Sequence, residues 1–239
     1  MEPALADLET PSNADELYSA TGDDVLLLSY RPLFTGDVIV LESGDRVALL
    51  QHPCSMHAGL AYNRKLVICA VQQLSSKPRT DWSKAPFGMM YLPRLLSSQN
   101  LAILFDEIDV ISSTAAQEGV REAILSMSGV TLLMQRWVHY MTRVVLPTIT
   151  LADVFAGPFE EADLTADGVE SVVSRGWPVH QAETVMDEWL SSATEPQNKT
   201  RRQLLADPRM RSTIRRQLRS YVSSLPRSPD AGRPQSGAS

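Results

Sequence analysis

The densest group of reactive side chains in the sequence is the segment QHPCSMH at positions 51–57. A thiol (Cys54), a hydroxyl (Ser55) and two imidazoles (His52 and His57) lie within seven residues, and such groups can supply a nucleophile and its general base. The segment follows a predicted strand, which is where folds commonly display functional side chains. Because the spacing matches no established catalytic dyad, a structural interpretation is favoured: the thiol is a small buried hydrophobe and the imidazoles are ordinary loop side chains.

Metal and cofactor chemistry has little support in the sequence. His52, Cys54 and His57 share one short loop without a distant fourth ligand, so we expect no metal site. The sequence also lacks the glycine-rich dinucleotide fingerprint, the Walker A phosphate loop, the GxSxG nucleophile elbow, the HExxH motif and zinc-ribbon spacing. We therefore expect no cofactor, and the common nucleotide, hydrolase and zinc chemistries are disfavoured.

Arg136, His139 and Arg143 form a second candidate site on a predicted helix. Spacings of three and four place these side chains on one helical stripe. The stripe could bind a phosphate or a partner's carboxylate, because the guanidinium group is a planar fork of donors. The alternative, which we favour slightly, is pairing within the chain with acids such as Glu160, Glu161 or Asp163.

The C-terminal part of the sequence is basic, whereas its N-terminal part is acidic. Residues 196–239 hold ten basic and two acidic residues, and residues 1–30 hold seven acidic and no basic residues. In the predicted amphipathic helix, apolar residues occupy one side and arginines the other: Ile214, Leu218, Tyr221 and Val222 against Arg211, Arg215, Arg216 and Arg219. This helix could bind nucleic acid, an anionic surface or an acidic protein. It could equally pack on the rest of the chain with its arginines in solvent.

Composition bounds the class of protein. With 44% hydrophobic residues the chain can form a core, and two cysteines cannot form the disulfide framework of a small secreted scaffold. The N-terminus lacks the basic and apolar regions of a signal peptide, and no apolar run approaches the roughly 20 residues of a membrane span. We therefore expect a cytoplasmic protein without membrane contact.

The spacing of apolar runs predicts a β-rich half followed by an α-rich half. Short β-branched runs between Val25 and Ser113 predict a small antiparallel sheet that closes or half closes, and GDVIVLESGDRVALLQH is its clearest hairpin. From Thr114 the period is helical: AQEGVREAILSM and GVTLLMQRWVHYMTRVVL predict helices, as do residues 150–156, 160–174, 179–192 and 199–223, the last broken at Asp207-Pro208.

The predicted organisation is an α+β chain with an N-terminal small antiparallel β-barrel and an α-helical C-terminal region. Residues 75–88 are predicted to be a long loop. The predicted boundaries are an acidic flexible leader (1–24), the barrel (25–113), a helical region (114–195), a basic amphipathic helix (196–225) and a disordered tail (226–239).

The segment RPLFTGDVIVLESGDRVALLQHPCSM resembles the opening of PemK- and MazF-like barrels, in which a GDV or GDI strand leads through a turn into a second hydrophobic strand. It is most similar to an uncharacterised bacterial group of small barrels with a GDV strand and a polar loop that contains cysteine; LFDEIDVISS and the helix LLMQRWVHYMTR extend this likeness. The resemblance implies a PemK/MazF-like barrel. It also implies that Arg46 and Ser55 occupy the positions that cut RNA in MazF-like ribonucleases.

This sequence departs from the nuclease pattern in three respects. The hairpin turn is short, Pro53-Cys54 stands where a Ser or Thr context is expected, and the barrel half is acidic. The resemblance therefore supports the barrel more strongly than the nuclease activity, and a shared fold does not by itself assign a function.

Three functions follow from these observations. The favoured one is a non-enzymatic bacterial accessory or regulatory subunit that acts through a protein partner or self-association, in a toxin, stress or phage-defence system. The first alternative is a metal-independent endoribonuclease that uses Arg46 with Ser55 or His57. The second alternative is a nucleic-acid-binding protein that uses the basic C-terminal helix.

Overall fold

The computed structural model describes residues 8–58, 61–74, 88–96, 99–195 and 198–227. The chain forms two compact units. The barrel unit comprises Met1–Ser29 and Leu33–Ala156, and the helical unit comprises Tyr30–Pro32 and Gly157–Ser239. Within the described ranges, no helix combines the length and apolar character that crossing a bilayer requires.

A seven-stranded antiparallel sheet forms the barrel unit, in the order β1-β9-β2-β3-β6-β8-β7. Its strands are β1 (Tyr18–Thr21), β2 (Val38–Val40), β3 (Arg46–Leu49), β6 (Lys65–Gln73), β7 (Met89–Leu96), β8 (Gln99–Ser112) and β9 (Val120–Leu125). A separate pair, β4 (His57–Ala58) and β5 (Ala61–Tyr62), follows β3. The unit also contains the helices α1 (Pro53–Met56), α2 (Ser113–Glu118) and α3 (Met127–Thr142).

The two edges of the sheet approach each other, so the barrel is nearly closed. The Tyr18 hydroxyl on β1 donates to the Pro93 carbonyl on β7 at 2.9 Å. Close by, Arg94 forms an exposed ion pair with Asp15 at 3.1 Å. Closure of this kind reduces the length of exposed sheet edge. The prediction of an α+β chain with a small antiparallel barrel is therefore confirmed.

The predicted hairpin is present as β2 and β3, which pair Val38 with Ala48 and Val40 with Arg46. Its turn closes with a hydrogen bond from the Leu41 amide to the Asp45 carbonyl at 2.8 Å. Gly44 has a φ of +89°, a value that suits glycine in tight turns.

One predicted helix is wrong. Residues in AQEGVREAILSM form the short helix α2 and then, after Gly119, the strand β9. β9 lies between β1 and β2 and pairs Ala123 with both Thr21 and Val38. The helical spacing of apolar residues is overridden because pairing on both sides completes the ladders of two other strands. The sheet consequently extends beyond the predicted barrel range of 25–113 at both ends.

Residues 8–24 of the predicted acidic leader (1–24) make specific contacts with the rest of the barrel unit, and residues 1–7 lie outside the described ranges. Leu17 is fully buried. The Glu9 carboxylate accepts hydrogen bonds from the Thr148 amide at 2.8 Å and from the Gln135 amide group at 3.2 Å. The bonds from Thr148 lower the pKa of Glu9 below its ordinary value. Specific contacts thus hold this segment against α3 and the start of the next helix, although its composition resembles that of disordered chains.

The helical unit contains the later part of α4 (Thr148–Val173), then α5 (Val179–Ser191), α6 (Arg201–Leu204) and α7 (Pro208–Ser224), with the short pair β10 (Ala193–Thr194) and β11 (Lys199–Thr200). The two helices predicted at 150–156 and 160–174 are a single helix that includes Pro158. The predicted break at Asp207-Pro208 is confirmed, since the Asp207 side chain caps α7 and proline occupies its first turn.

Apolar residues of α4, α5, α6 and α7 form the core of the helical unit. α7 contributes Ile214, Leu218 and Val222 to this core; these residues are spaced four apart and are buried. Beyond α7, the Trp177 indole donates to the Pro226 carbonyl at 3.0 Å. The predicted disordered tail (226–239) otherwise lies outside the described residues, as does the predicted loop at 75–88 up to residue 87.

Two glycines with positive φ provide a matched test of the barrel. A Cβ on Gly36 (φ +86°) would lie 2.6 Å from Leu125 Cδ1, whereas a Cβ on Gly44 (φ +89°) meets no atom within 4 Å. We expect Gly44→Ala to cost about 1 kcal/mol of unfolding free energy from backbone strain alone. Gly36→Ala should cost about 3 kcal/mol because overpacking adds to that strain. Urea unfolding of both variants measures the difference, and equal costs would show that Leu125 does not pack over Gly36.

Candidate functional site

The segment predicted to be reactive forms the helical turn α1 beside the end of β3. His52 is the N-cap, and its Nδ1 accepts a hydrogen bond from the Cys54 amide at 3.2 Å. Pro53 and Met56 are buried, and Met56 belongs to an apolar cluster of the barrel. The Cys54 and Ser55 side chains are exposed on the other side of the turn. The expectation that Cys54 is buried is therefore wrong, whereas the other cysteine, Cys69, is buried.

Each imidazole of this segment packs on its own aromatic ring. His52 lies 4.7 Å from the ring of Phe155, and its Nε2 is buried without a hydrogen-bond partner in the described structure. Burial lowers the pKa of His52 below its ordinary value, because the charged form would lose solvation. His57 lies 4.5 Å from the ring of Tyr62. The capping role of His52 and these ring contacts support the structural interpretation of both histidines.

Two amide side chains fix the loop after α1. Asn63 donates to the Ser55 carbonyl at 2.6 Å, and Gln51 donates to the same carbonyl. The Gln51 side-chain oxygen also accepts from the Val67 amide at 3.1 Å. Sequence reasoning did not assign these roles, because nothing in the spacing of Gln51 and Asn63 reveals a shared carbonyl. The side chains of Gln51, His52 and Asn63 thus hold the backbone of this segment.

Arg46, which the resemblance places at a position that cuts RNA, forms an ion pair within the barrel unit. It is the first residue of β3, and its guanidinium donates to both carboxylate oxygens of Glu122 on β9, at 2.5 and 3.0 Å. The hydrogen bond to Glu122 raises the pKa of Arg46. α1 follows the other end of β3, and the Cα atoms of the first and last residues of that strand alone are about 10 Å apart. The structure therefore does not bring Arg46 together with Ser55 and His57.

The buried carboxylate of Asp37, which was not predicted to be a site residue, holds the backbone at the start of the GDV strand. The Asp37 carboxylate is buried and accepts a hydrogen bond from the Phe34 amide at 2.9 Å. Arg121 of β9 lies 3.4 Å from the same oxygen, Oδ2. A buried carboxylate requires such partners because desolvation is costly. The aspartate of the GDV motif therefore has a structural role in this protein.

The predicted stripe of Arg136, His139 and Arg143 is not a single exposed surface. Arg136 is only 1% exposed, and burial lowers its pKa to about 10. Its guanidinium lies 3.4 Å from the Glu9 carbonyl. Arg143 is exposed just beyond the end of α3, in the left-handed region (φ 62°), where its amide donates to the His139 carbonyl. The helix thus ends within the predicted stripe.

The acids proposed as partners of that stripe bind other arginines. In the helical unit, Glu160 pairs with Arg215 at 2.6 Å and Glu161 pairs with Arg202 at 2.7 Å. The third acid, Asp163, pairs with the buried Arg31 at 2.8 Å. Internal pairing of these carboxylates was expected, but the predicted partners were wrong because chain segments distant in sequence supply the arginines.

The four α7 arginines that the sequence singled out fall into two groups. Arg211 donates to the Leu205 carbonyl at 3.0 Å, and Arg215 binds both Glu160 and Asp167. Arg216 and Arg219 are exposed and have no acidic partner among the described residues. The apolar stripe of the helix is buried, so α7 packs within the helical unit and leaves only part of its basic surface in solvent.

An exposed apolar group of side chains, close together in sequence, lies on both sides of the α3–α4 connection in the barrel unit. It consists of Met141, Val144, Ile149 and Val154, which are 52–70% exposed and lie within 14 residues of sequence. Single exposed apolar residues are ordinary, whereas a group of them marks a candidate contact with another molecule. We refer to these four residues as the connection surface.

Comparison with known proteins assigns no family. No protein-family model matches the sequence, and no curated protein matches it. Among the residues that the structure describes, no group of three or more His, Cys, Asp or Glu side chains could hold a metal ion.

The pair of Arg46 and Glu122 can be tested by a double-mutant cycle. Its side chains are 22% and 21% exposed, whereas those of the Arg94–Asp15 pair are 69% and 64% exposed. We expect a coupling free energy of about 1 kcal/mol from Arg46→Met and Glu122→Ala, because the bidentate pair is largely shielded from water. The matched cycle, Arg94→Met with Asp15→Ala, should give about 0.3 kcal/mol. Equal couplings in chemical unfolding would contradict the described geometry.

Proposed function

We propose that this chain is a non-enzymatic bacterial accessory or regulatory subunit that acts in the cytoplasm through contact with a protein partner or a second copy. The setting we propose is a toxin, stress or phage-defence system. The observation that carries the proposal is the connection surface, four large apolar side chains that are exposed within 14 residues of sequence around the α3–α4 connection. Burial of such side chains is the principal driving force of protein association.

The distribution of reactive groups adds support. Arg46 and His52 are engaged in an ion pair and a helix cap, and Arg46 lies apart from Ser55. A nucleophile requires a base within hydrogen-bond reach, and a transition-state donor must face the same reacting atom. The candidate residues therefore favour a binding role over catalysis.

The likeness to PemK- and MazF-like barrels belongs to this proposal. It is supported by the nearly closed antiparallel sheet and by the hairpin that begins at the GDV strand. We propose that this chain shares the barrel of these proteins but not their nuclease activity, since the guanidinium of Arg46 is paired with the carboxylate of Glu122.

Binding of nucleic acid through α7 is a second candidate. The observation in its favour is that Arg216 and Arg219 are exposed. Few arginines of the basic C-terminal region remain available for phosphates, because Arg202 and Arg215 already neutralise carboxylates of the helical unit. Since non-specific affinity grows with the number of phosphates contacted, two exposed arginines without an acidic partner among the described residues predict weak binding.

The connection surface can be tested with two matched double variants. Ile149→Asp with Val154→Asp places charge on the surface, and Leu26→Asp with Leu27→Asp places the same charge on an equally exposed turn elsewhere. We expect the first variant to weaken partner retention from source-cell extract, or self-association in sedimentation velocity, by about tenfold or more, because charged residues are costly in an apolar interface. The second variant should behave as the wild type.

The proposal fails under two outcomes of this experiment. In one, the wild-type chain shows neither a retained partner nor self-association. In the other, both double variants reduce association equally, which would reflect a general effect of added charge.

The nuclease alternative has a separate test. We expect no cleavage when the purified chain is incubated with a mixed RNA pool in EDTA, because Arg46 is paired and lies apart from Ser55 and His57. Arg46→Ala is the control that distinguishes intrinsic activity from contamination. Cleavage by the wild-type chain that Arg46→Ala abolishes would establish the endoribonuclease alternative.

A further inference from the structure

A groove lies where β6 begins and where β8 passes into α2. It has a volume of about 680 Å³, and it is lined by Arg64 and Lys65 together with the run from Val110 to Thr114. Sites for small molecules commonly have volumes of about 300–1,000 Å³. The groove therefore has room for an organic molecule and not only for an inorganic ion.

Backbone pairing holds the two walls of the groove together. Lys65 lies directly opposite Ser112 in the ladder between β6 and β8. The side chains of directly opposed residues share one face of a sheet, with their Cβ atoms about 5 Å apart. Just beyond the ladder, the Ser113 amide donates to the Arg64 carbonyl at 3.2 Å. One wall thus carries the two cationic residues, and the other carries a run of hydroxyl residues.

The groove is positively charged although the chain has a net charge of -6. Arg64 and Lys65 are both exposed, and neither forms an ion pair with another residue that the structure describes. None of the residues that line the groove is acidic. Two adjacent cations without a counter-charge attract anions, and the attraction is strongest for an anion with two charges.

The hydroxyl wall adds hydrogen-bond donors and an apolar contact. The Ser112 hydroxyl accepts from the Ala115 amide at 3.0 Å, so its own proton remains for another acceptor. Thr114 adds an exposed hydroxyl. Val110, two residues before Ser112 on the same face of β8, is 47% exposed. The groove therefore combines charged donors, neutral donors and one apolar side chain.

We propose that this groove binds a small organic phosphate monoester. A phosphate monoester carries nearly two negative charges at pH 7 and offers three acceptor oxygens. The Arg64 guanidinium binds two of these oxygens as a planar fork, and the Lys65 ammonium adds a second charge. The Thr114 hydroxyl donates to the third oxygen, and the organic part lies along Val110. The site uses none of the residues of the connection surface, so the inference does not depend on the proposed partner contact.

The probe is phenyl phosphate, titrated into the isotopically labelled full-length chain and followed by the amide resonances in nuclear magnetic resonance spectra. We expect the largest shifts at Arg64, Lys65, Ser113 and Thr114. Inorganic phosphate should bind about threefold or more weaker, because it has no apolar part to contact the groove. Dimethyl phosphate carries a single charge, as each phosphate of a nucleic-acid backbone does, and should bind about tenfold weaker.

Matched double variants test the two cations. Arg64→Glu with Lys65→Glu should weaken the binding of phenyl phosphate by about tenfold or more, because repulsion replaces two charge-assisted contacts. Arg227→Glu with Lys199→Glu makes the same charge change at exposed positions of the helical unit and should leave the affinity unchanged. Thr114→Val keeps the shape of its side chain, removes one donor and should weaken binding by about threefold.

Three results would overturn the inference. In the first, millimolar phenyl phosphate shifts no amide resonance of the groove in the wild-type chain, a result that no folding defect can cause. In the second, both double variants weaken binding equally, which would reflect the charge of the whole chain. In the third, dimethyl phosphate binds as tightly as phenyl phosphate, which would indicate a nucleic-acid backbone instead of a phosphate monoester.

Discussion

The barrel unit depends on the insertion of β9 between β1 and β2. Six residues that follow α2 complete the backbone ladders of two strands that lie much earlier in the sequence. Without this strand, β1 would have no partner in the described sheet and β2 would have a partner on one side only. Pairing of such distant segments has a high entropic cost, which many simultaneous backbone hydrogen bonds must offset.

The same strand positions the charged groups of the barrel. Successive residues of β9 alternate in direction, so Arg121 reaches the buried Asp37 while Glu122 reaches Arg46. At the end of the strand, Leu125 packs over Gly36, and the Ser126 amide donates to the Leu17 carbonyl. This bond adds to the contacts that Glu9 makes with α3 and α4 in holding the acidic N-terminal segment. The arginine that suggested RNA chemistry is, by the same geometry, a cross-strand ion-pair partner.

Short sequence motifs predicted the features that depend only on residues close together in the sequence. The β2–β3 hairpin followed from a turn glycine between two apolar runs, and the start of α7 followed from Asp207-Pro208. β9 could not be predicted in this way, because Val120, Ile124 and Met127 have helical spacing and only pairing with β1 and β2 selects the strand. The contacts of the candidate site residues could not be predicted for a related reason. The partner of Arg46 lies 76 positions away in the sequence, and no spacing rule identifies it. Composition likewise favoured a flexible leader, whereas the hydrogen-bond partners of Glu9 come from α3 and α4.

The placement of β9 can be measured directly by nuclear Overhauser effects in an isotopically labelled sample of the full chain. Antiparallel pairing brings backbone protons of opposed residues within contact range, so we expect cross-strand effects between Ala123 and Val38 and between Leu125 and Tyr18. If residues 120–125 instead show the contacts between positions three apart that mark a helix, and no cross-strand effects, the described barrel and every role derived from it are wrong.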